Sequence, residues 1–193
     1  MEQNITIQIT KHLIRSDSYP RNLAKQINTS HTTVLRKLRE LLESNVVDYR
    51  IEGKNTVYFL KKTVEARVYI YMAEHYRLIE LIEQNPGLRP VIRTIQDHPD
   101  ILLVLLFGSY AKGTVNRQSD IDLYIETKGE INNSANKTAN DRELIRNLER
   151  QHTKLSIKTG SFDPDNLLIQ EIIQDHIILK GVERYYEKTG FFK

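Results

Sequence analysis

Residues 102–126 read LLVLLFGSYAKGTVNRQSDIDLYIE, and the architecture of the chain is worked outward from them. An unbroken apolar run, Ile101 to Phe107, stops abruptly at Gly108-Ser109, the pattern of a buried strand entering a functional loop. Gly108 lets the backbone bend or approach a ligand closely. Ser109 offers a hydroxyl, and Tyr110 to Lys112 can open a short helix whose amides face an anion, with the charge of Lys112 close by. Further on, Ser119-Asp120-Ile121-Asp122-Leu123-Tyr124-Ile125 alternates like a strand. That alternation places Asp120 and Asp122 on one face and Ile121, Leu123 and Ile125 in a core. Two neighbouring carboxylates repel unless a proton or cation lies between them, and oxygen ligands next to a phosphate favour Mg²⁺.

The spacing Gly-Ser, ten residues, Asp-x-Asp resembles the signature of the nucleotidyltransferase superfamily that includes DNA polymerase beta and kanamycin nucleotidyltransferase. Its minimal members have a core GSxAxG…SDIDL, and Gly108, Ser109, Ala111, Gly113, Ser119, Asp120, Ile121, Asp122 and Leu123 match every fixed letter. The resemblance implies that Asp120 and Asp122 are catalytic residues and ligands of Mg²⁺, with a two-metal site open. It also implies that Gly108, Ser109, Lys112 and Ser119 hold a nucleoside triphosphate, whose nucleoside monophosphate passes to a hydroxyl, on a protein among other acceptors. One departure stands out. Active members carry a third carboxylate on the next strand, and here that run is Lys154 to Lys158 (KLSIK), with Lys154, Ser156 and Lys158 on the face where the acid belongs. Asp163 and Asp165 follow in a loop around Pro164 that reads equally well as a helix start. Three readings stay open: a competent transferase, a transcriptional regulator whose degenerate transferase domain senses nucleotide, and an antitoxin-like partner of another protein.

Upstream, the charge is uneven. Residues 1–62 hold 11 Lys/Arg against 6 Asp/Glu, and the remainder 17 against 19, so the net +3 conceals a basic N-terminal third. Ile5, Ile9, Leu13 and Ile14 recur at helical spacing. Pro20 suits the first turn of a second helix with Leu23, Ala24 and Ile27 inward, and Ser30 is an N-cap for a third helix, His31 to Glu43. Two β-type runs, Val46 to Glu52 and Thr56 to Leu60, meet at Gly53-Lys54-Asn55. Three helices and a hairpin resemble the winged helix-turn-helix family of DNA-binding domains over roughly residues 3–62. That resemblance implies double-stranded DNA as partner. Thr32, Thr33, Arg36 and Lys37 would then face base edges or phosphates from the third helix, and Lys54 would sit at the wing tip.

Residues 63–98 read as a helical connector, where Tyr69, Tyr71 and Tyr76 fit packing better than base stacking and a homodimer surface is available. After residue 126, a helix over Asn140 to Gln151, the KLSIK strand, a helix over Leu167 to Ile173, a short run His176 to Leu179 and a last helix from Val182 complete the chain. His12, His31 and His176 lack spaced partners and are read as structural.

Composition excludes several classes. The chain has 193 residues and no Cys, which removes disulfide frameworks, thiolate metal sites and Cys nucleophiles. Neither a signal peptide nor an apolar run near the roughly 20 residues of a bilayer span is visible, leaving a soluble cytoplasmic protein as the expected class. The expected fold is α+β: winged helix-turn-helix at 1–62, helical connector at 63–98, and a small nucleotidyltransferase-fold mixed sheet flanked by helices at 99–193.

Overall fold

The computed structural model describes residues 4–116, 118–129, 139–152 and 154–193, with the backbone alone for 139–141. Its contacts divide the chain into two compact units, Met1–Tyr76 with Phe191–Lys193, and Arg77–Gly190. The dividing point lies inside a single helix, so the stretch 63–98 contributes residues to both.

In the first unit, α1 (Ile5–Arg15), α2 (Pro20–Gln26) and α3 (His31–Glu43) are followed by a hairpin of β1 (Val47–Glu52) and β2 (Asn55–Leu60). Each helix start has a local cause. The Asn4 side chain accepts from the Ile7 amide at the head of α1, Pro20 fills the first turn of α2, and Ser30 Oγ accepts from the Thr33 amide at 3.0 Å to cap α3. Ile9, Leu13, Leu23, Val34, Leu38 and Leu41 come together with Val46, Val47 and Ala66 in one buried cluster. The hairpin turns over two residues, since Glu52 pairs with Asn55, and Gly53 takes φ +61°, a left-handed value that suits glycine. A third short strand segment joins it: Ser18 and Tyr58 exchange both backbone hydrogen bonds.

The next helix, α4 (Val64–Gln84), leads through a 3₁₀ turn at Pro86–Leu88 to α5 (Arg89–Asp97). The second unit then builds β3 (Ile101–Phe107), the single turn α6 (Ser109–Lys112), β4 (Ile121–Thr127), α7 (Ala139–Gln151), β5 (Leu155–Thr159), α8 (Leu167–Gln174), β6 (Ile177–Lys180) and α9 (Val182–Lys188). The four strands form one sheet in the order β5-β4-β3-β6, with β4 and β5 parallel and the other pairs antiparallel.

The sheet is covered on both sides, which explains why β3 and β4 are almost continuously apolar. One face sends Val104, Leu106, Ile121, Leu123 and Ile125 against Val91, Ile92 and Ile95 of α5 and Leu144 and Leu148 of α7. The other carries Leu103 and Leu105 on β3 and Tyr124 on β4, all buried, and Phe162 stacks edge-on with Tyr124 and tilted against Tyr185 of α9. Gly181, at φ +84°, passes so close to the backbone carbonyl of Leu102 that any side chain there would collide with it.

Candidate functional site

The apolar run ends as expected, with Phe107 closing β3, an interior strand, and Gly108 following at its end. Gly108 adopts φ +70°, ψ −146°, a region open to glycine and closed to other residues. A Cβ there would strike Oδ2 of Asp122, so the carboxylate occupies the space beside the Gly108 Cα. The loop that follows is tied internally: Lys112 N–H donates to Gly108 O at 3.1 Å, Thr114 N–H to Ser109 O at 3.0 Å, and Gly113 closes the turn at φ +70°. Ser109 is half-buried, Lys112 exposed. Ser119 holds the loop's other end, its Oγ accepting from the Asn116 amide at 2.9 Å and its amide donating to Asn116 O at 3.1 Å.

The two acids differ in setting. Strand β4 begins at Ile121, so Asp120 is the exposed residue just before it rather than a strand residue as the alternation suggested. Asp122 lies within the strand, half-buried, with Phe107 of β3 on one side and Ser156 of β5 on the other. The residue beside Asp122 on the next strand is thus a serine, and one pleat along Lys158 pairs with Tyr124. Asp163 does not supply a missing acid: its Oδ1 accepts from the Asp165 amide at 3.0 Å, closing a turn ahead of the Asn166 cap of α8. Among the described residues there is no group of three or more His, Asp and Glu that could hold a metal ion.

Four residues beyond Asp122, on the same face of β4, is a carboxylate that the sequence reading overlooked. Glu126 is fully buried, and it accepts from Arg184 Nε at 2.6 Å, from Lys188 Nζ at 2.7 Å and from the Phe162 amide at 3.0 Å. Burial pushes this carboxyl up, and the hydrogen bonds from Arg184, Lys188 and Phe162 outweigh it, leaving Glu126 below the usual range. The period-two count Asp122, Tyr124, Glu126 was the available signal. Its partners lie 36, 58 and 62 residues away, at Phe162, Arg184 and Lys188, which no local pattern shows.

In the first unit, Thr32, Thr33, Arg36 and Lys37 all lie on α3 and Lys54 at the exposed hairpin turn. Thr33 takes part in the cap, its Oγ1 2.7 Å from Ser30 Oγ. Arg36 and Lys37 share one carboxylate: Glu40 receives Arg36 Nη1 at 2.8 Å and Lys37 Nζ at 2.7 Å. The hydrogen bond from Lys37, aided by both charges, holds Glu40 below its ordinary value. The wing is braced similarly, Arg50 meeting Asp17 at 2.5 Å and Glu52 at 2.6 Å. His176 is buried with Nδ1 3.1 Å from the carbonyls of Ile172 and Ile173. No helix among the described residues is long and apolar enough to cross a membrane.

The family model described as "Polymerase beta, Nucleotidyltransferase" matches residues 90–184. No curated protein matches the chain. Solved structures similar to it include the transcriptional repressor BigR from Xylella fastidiosa (20% identity, 41% of this chain and 78% of that one, TM-score 0.37). The adhesin competence repressor AdcR from Streptococcus pyogenes is similar at 20% identity over 46% of this chain and 66% of that one, TM-score 0.40. A toxin-antitoxin structure with AMP-PNP is similar at 24% identity over 56% and 79%, TM-score 0.37. Residues 90–184 of this chain thus match the polymerase beta nucleotidyltransferase family model, and the three helices and hairpin ahead of them have the arrangement of a winged helix-turn-helix.

Proposed function

We propose that this chain is a Mg²⁺-dependent nucleotidyltransferase, moving a nucleoside monophosphate from a nucleoside triphosphate to a hydroxyl acceptor, and that its winged helix binds double-stranded DNA. The observation that carries the first part is the packing of the Asp122 carboxylate against Gly108, which joins both halves of the Gly-Ser…Asp-x-Asp pattern at one point.

The donor set suits the ion. Mg²⁺ is ordinarily held by one or two carboxylates together with substrate phosphates, and exposed Asp120 and half-buried Asp122, two residues apart in the chain, are two such carboxylates. Bound there, the ion would neutralise the triphosphate and favour in-line attack at the α-phosphorus. In that attack a bond forms from the acceptor oxygen to the α-phosphorus as the bond to the bridging oxygen breaks, pyrophosphate leaves and the hydroxyl proton passes to solvent. The chain's own part is positioning. The Ser109 hydroxyl donates to phosphate oxygens, and the hydrogen bonds of Lys112 N–H to Gly108 O and of Asn116 N–H to Ser119 Oγ hold the loop in place without reorganisation.

A second reading is favoured by Ser156, which stands beside Asp122 where a further acid would complete the site. In it the domain binds nucleotide without transferring it, and the winged helix reports the bound state to DNA. Labelled ATP with Mg²⁺ separates the two: labelled product on an acceptor supports transfer, whereas a raised melting temperature with no product supports sensing. Asp120→Asn with Asp122→Asn should abolish the metal dependence of nucleotide binding. Unchanged metal-dependent binding in that variant overturns the site.

A further inference from the structure

We propose that Lys158 is a phosphate-binding residue, reaching the triphosphate over Asp122 and supplying positive charge that the two aspartates and one divalent ion leave lacking. This rests on the nucleotidyltransferase reading. Phe107, Asp122 and Ser156 are register partners across β3, β4 and β5, and Lys158 lies two residues beyond Ser156, so period two places all four on one face. β5 is an edge strand, where lysines commonly point to solvent and discourage edge pairing. Lys158 is likewise exposed, and its ammonium also meets an aromatic ring. Its Nζ lies 5.7 Å from the centroid of the Phe107 ring, on the far side of β4. Asp122 is the β4 residue directly opposite Phe107, so the ammonium and that carboxylate share one face of the sheet.

Charge explains what such an ammonium would do. A triphosphate and two aspartates carry more negative charge than one divalent ion cancels, and no third acid among the described residues completes a donor set for another ion. An ammonium that donates to phosphate oxygens answers the same need without a further ligand set. Resting on a ring face, it is held by a weak contact that a phosphate oxygen displaces readily.

Calorimetric titration of the full chain with ATP, in Mg²⁺ and in EDTA, and with adenosine, tests this in wild type, Lys158→Met and Lys158→Arg. Lys158→Met keeps the aliphatic stem on an exposed residue, and an unchanged melting temperature certifies its fold. Loss of the charge should weaken ATP binding about tenfold or more in either buffer while adenosine binding stays within about twofold, and Lys158→Arg should restore most of it. Equal ATP affinity in wild type and Lys158→Met overturns the assignment, as does an equal loss for ATP and adenosine. Failure of wild type itself to bind ATP overturns the nucleotidyltransferase reading as well.

Discussion

The Asp122 carboxylate fills the space that a side chain at Gly108 would need. One residue supplies the bend at the end of β3, the other an acid on β4, and the antiparallel pairing of Phe107 with Asp122 brings them together. Alanine at Gly108 would face both a collision with that carboxylate and a backbone conformation reserved for glycine. Gly108→Ala should cost roughly 1–3 kcal/mol in the second unit and displace Asp122. Differential scanning calorimetry should show the loss there, and metal-dependent nucleotide binding should disappear from the same sample.

Glu126 offers a separate test, of stability. Its carboxylate is buried between Arg184 and Lys188 of α9 and the Phe162 amide, so one group fastens β4 to the last helix and to the segment after β5. Removing its charge leaves two cations facing each other over a half-used acceptor. Glu126→Gln should destabilise the second unit by about 3 kcal/mol in chemical denaturation, well beyond an exposed pair such as Lys128–Asp100 at 3.4 Å.

The same group sets a pH response. The folded-state pKa of Glu126 lies below its unfolded value, so the folded protein holds its proton less tightly. Its contribution is complete above the unfolded carboxylate pKa of about 4.3 and is lost as the pH falls through the lower folded value. A plot of melting temperature against pH should decline more steeply below that point in wild type than in Glu126→Gln. Parallel curves would remove Glu126 as the cause.

These features differ in how plainly the sequence carried them. Helix α3 was legible to the residue, because Ser30 caps it and Glu43 precedes the Ser44-Asn45 break, and Asn45 takes φ +58°. The Gly-Ser loop and the SDIDL strand were legible too, since glycine and alternating acids leave marks at fixed short spacing. Asp120 was misplaced by one residue, as strand alternation does not reveal where pairing begins; the pairing of Ile121 with Leu155 decides that. Glu126 and Lys158 stayed hidden for another reason. What distinguishes them is Arg184, Lys188 and Phe107, and only the strand order β5-β4-β3 and the packing of α9 bring those close. Connectors hide similarly: 63–98 has helical periodicity throughout, and periodicity says nothing about which unit each turn joins.

The cap of α3 can be tested directly. Ser30 Oγ accepts from the Thr33 amide and lies against the Thr33 hydroxyl. Ser30→Ala should cost about 1 kcal/mol of first-unit stability, whereas Ser30→Asp should keep most of it by retaining an acceptor. Thermal unfolding followed by circular dichroism reads both.

Glu40 bears most directly on DNA. Arg36 and Lys37 point from α3 with their charges drawn onto one carboxylate, so the basic surface counted from sequence is partly cancelled in the folded unit. A phosphate approaching either cation must compete with Glu40, and that carboxylate also repels it. Glu40→Gln removes the competitor while preserving the helix and both cations. On the DNA-binding reading, duplex affinity should rise in this variant and its logarithmic salt dependence should steepen. Arg36→Ala with Lys37→Ala should lower affinity and flatten the slope by about 2, close to one counterion for each phosphate that the variant no longer neutralises. Fluorescence anisotropy with a labelled duplex across a salt series measures both. If Glu40→Gln leaves the slope as it is in wild type, Arg36 and Lys37 do not meet phosphate, and the DNA contact belongs elsewhere on the unit, with Lys54 of the wing the next residue to replace.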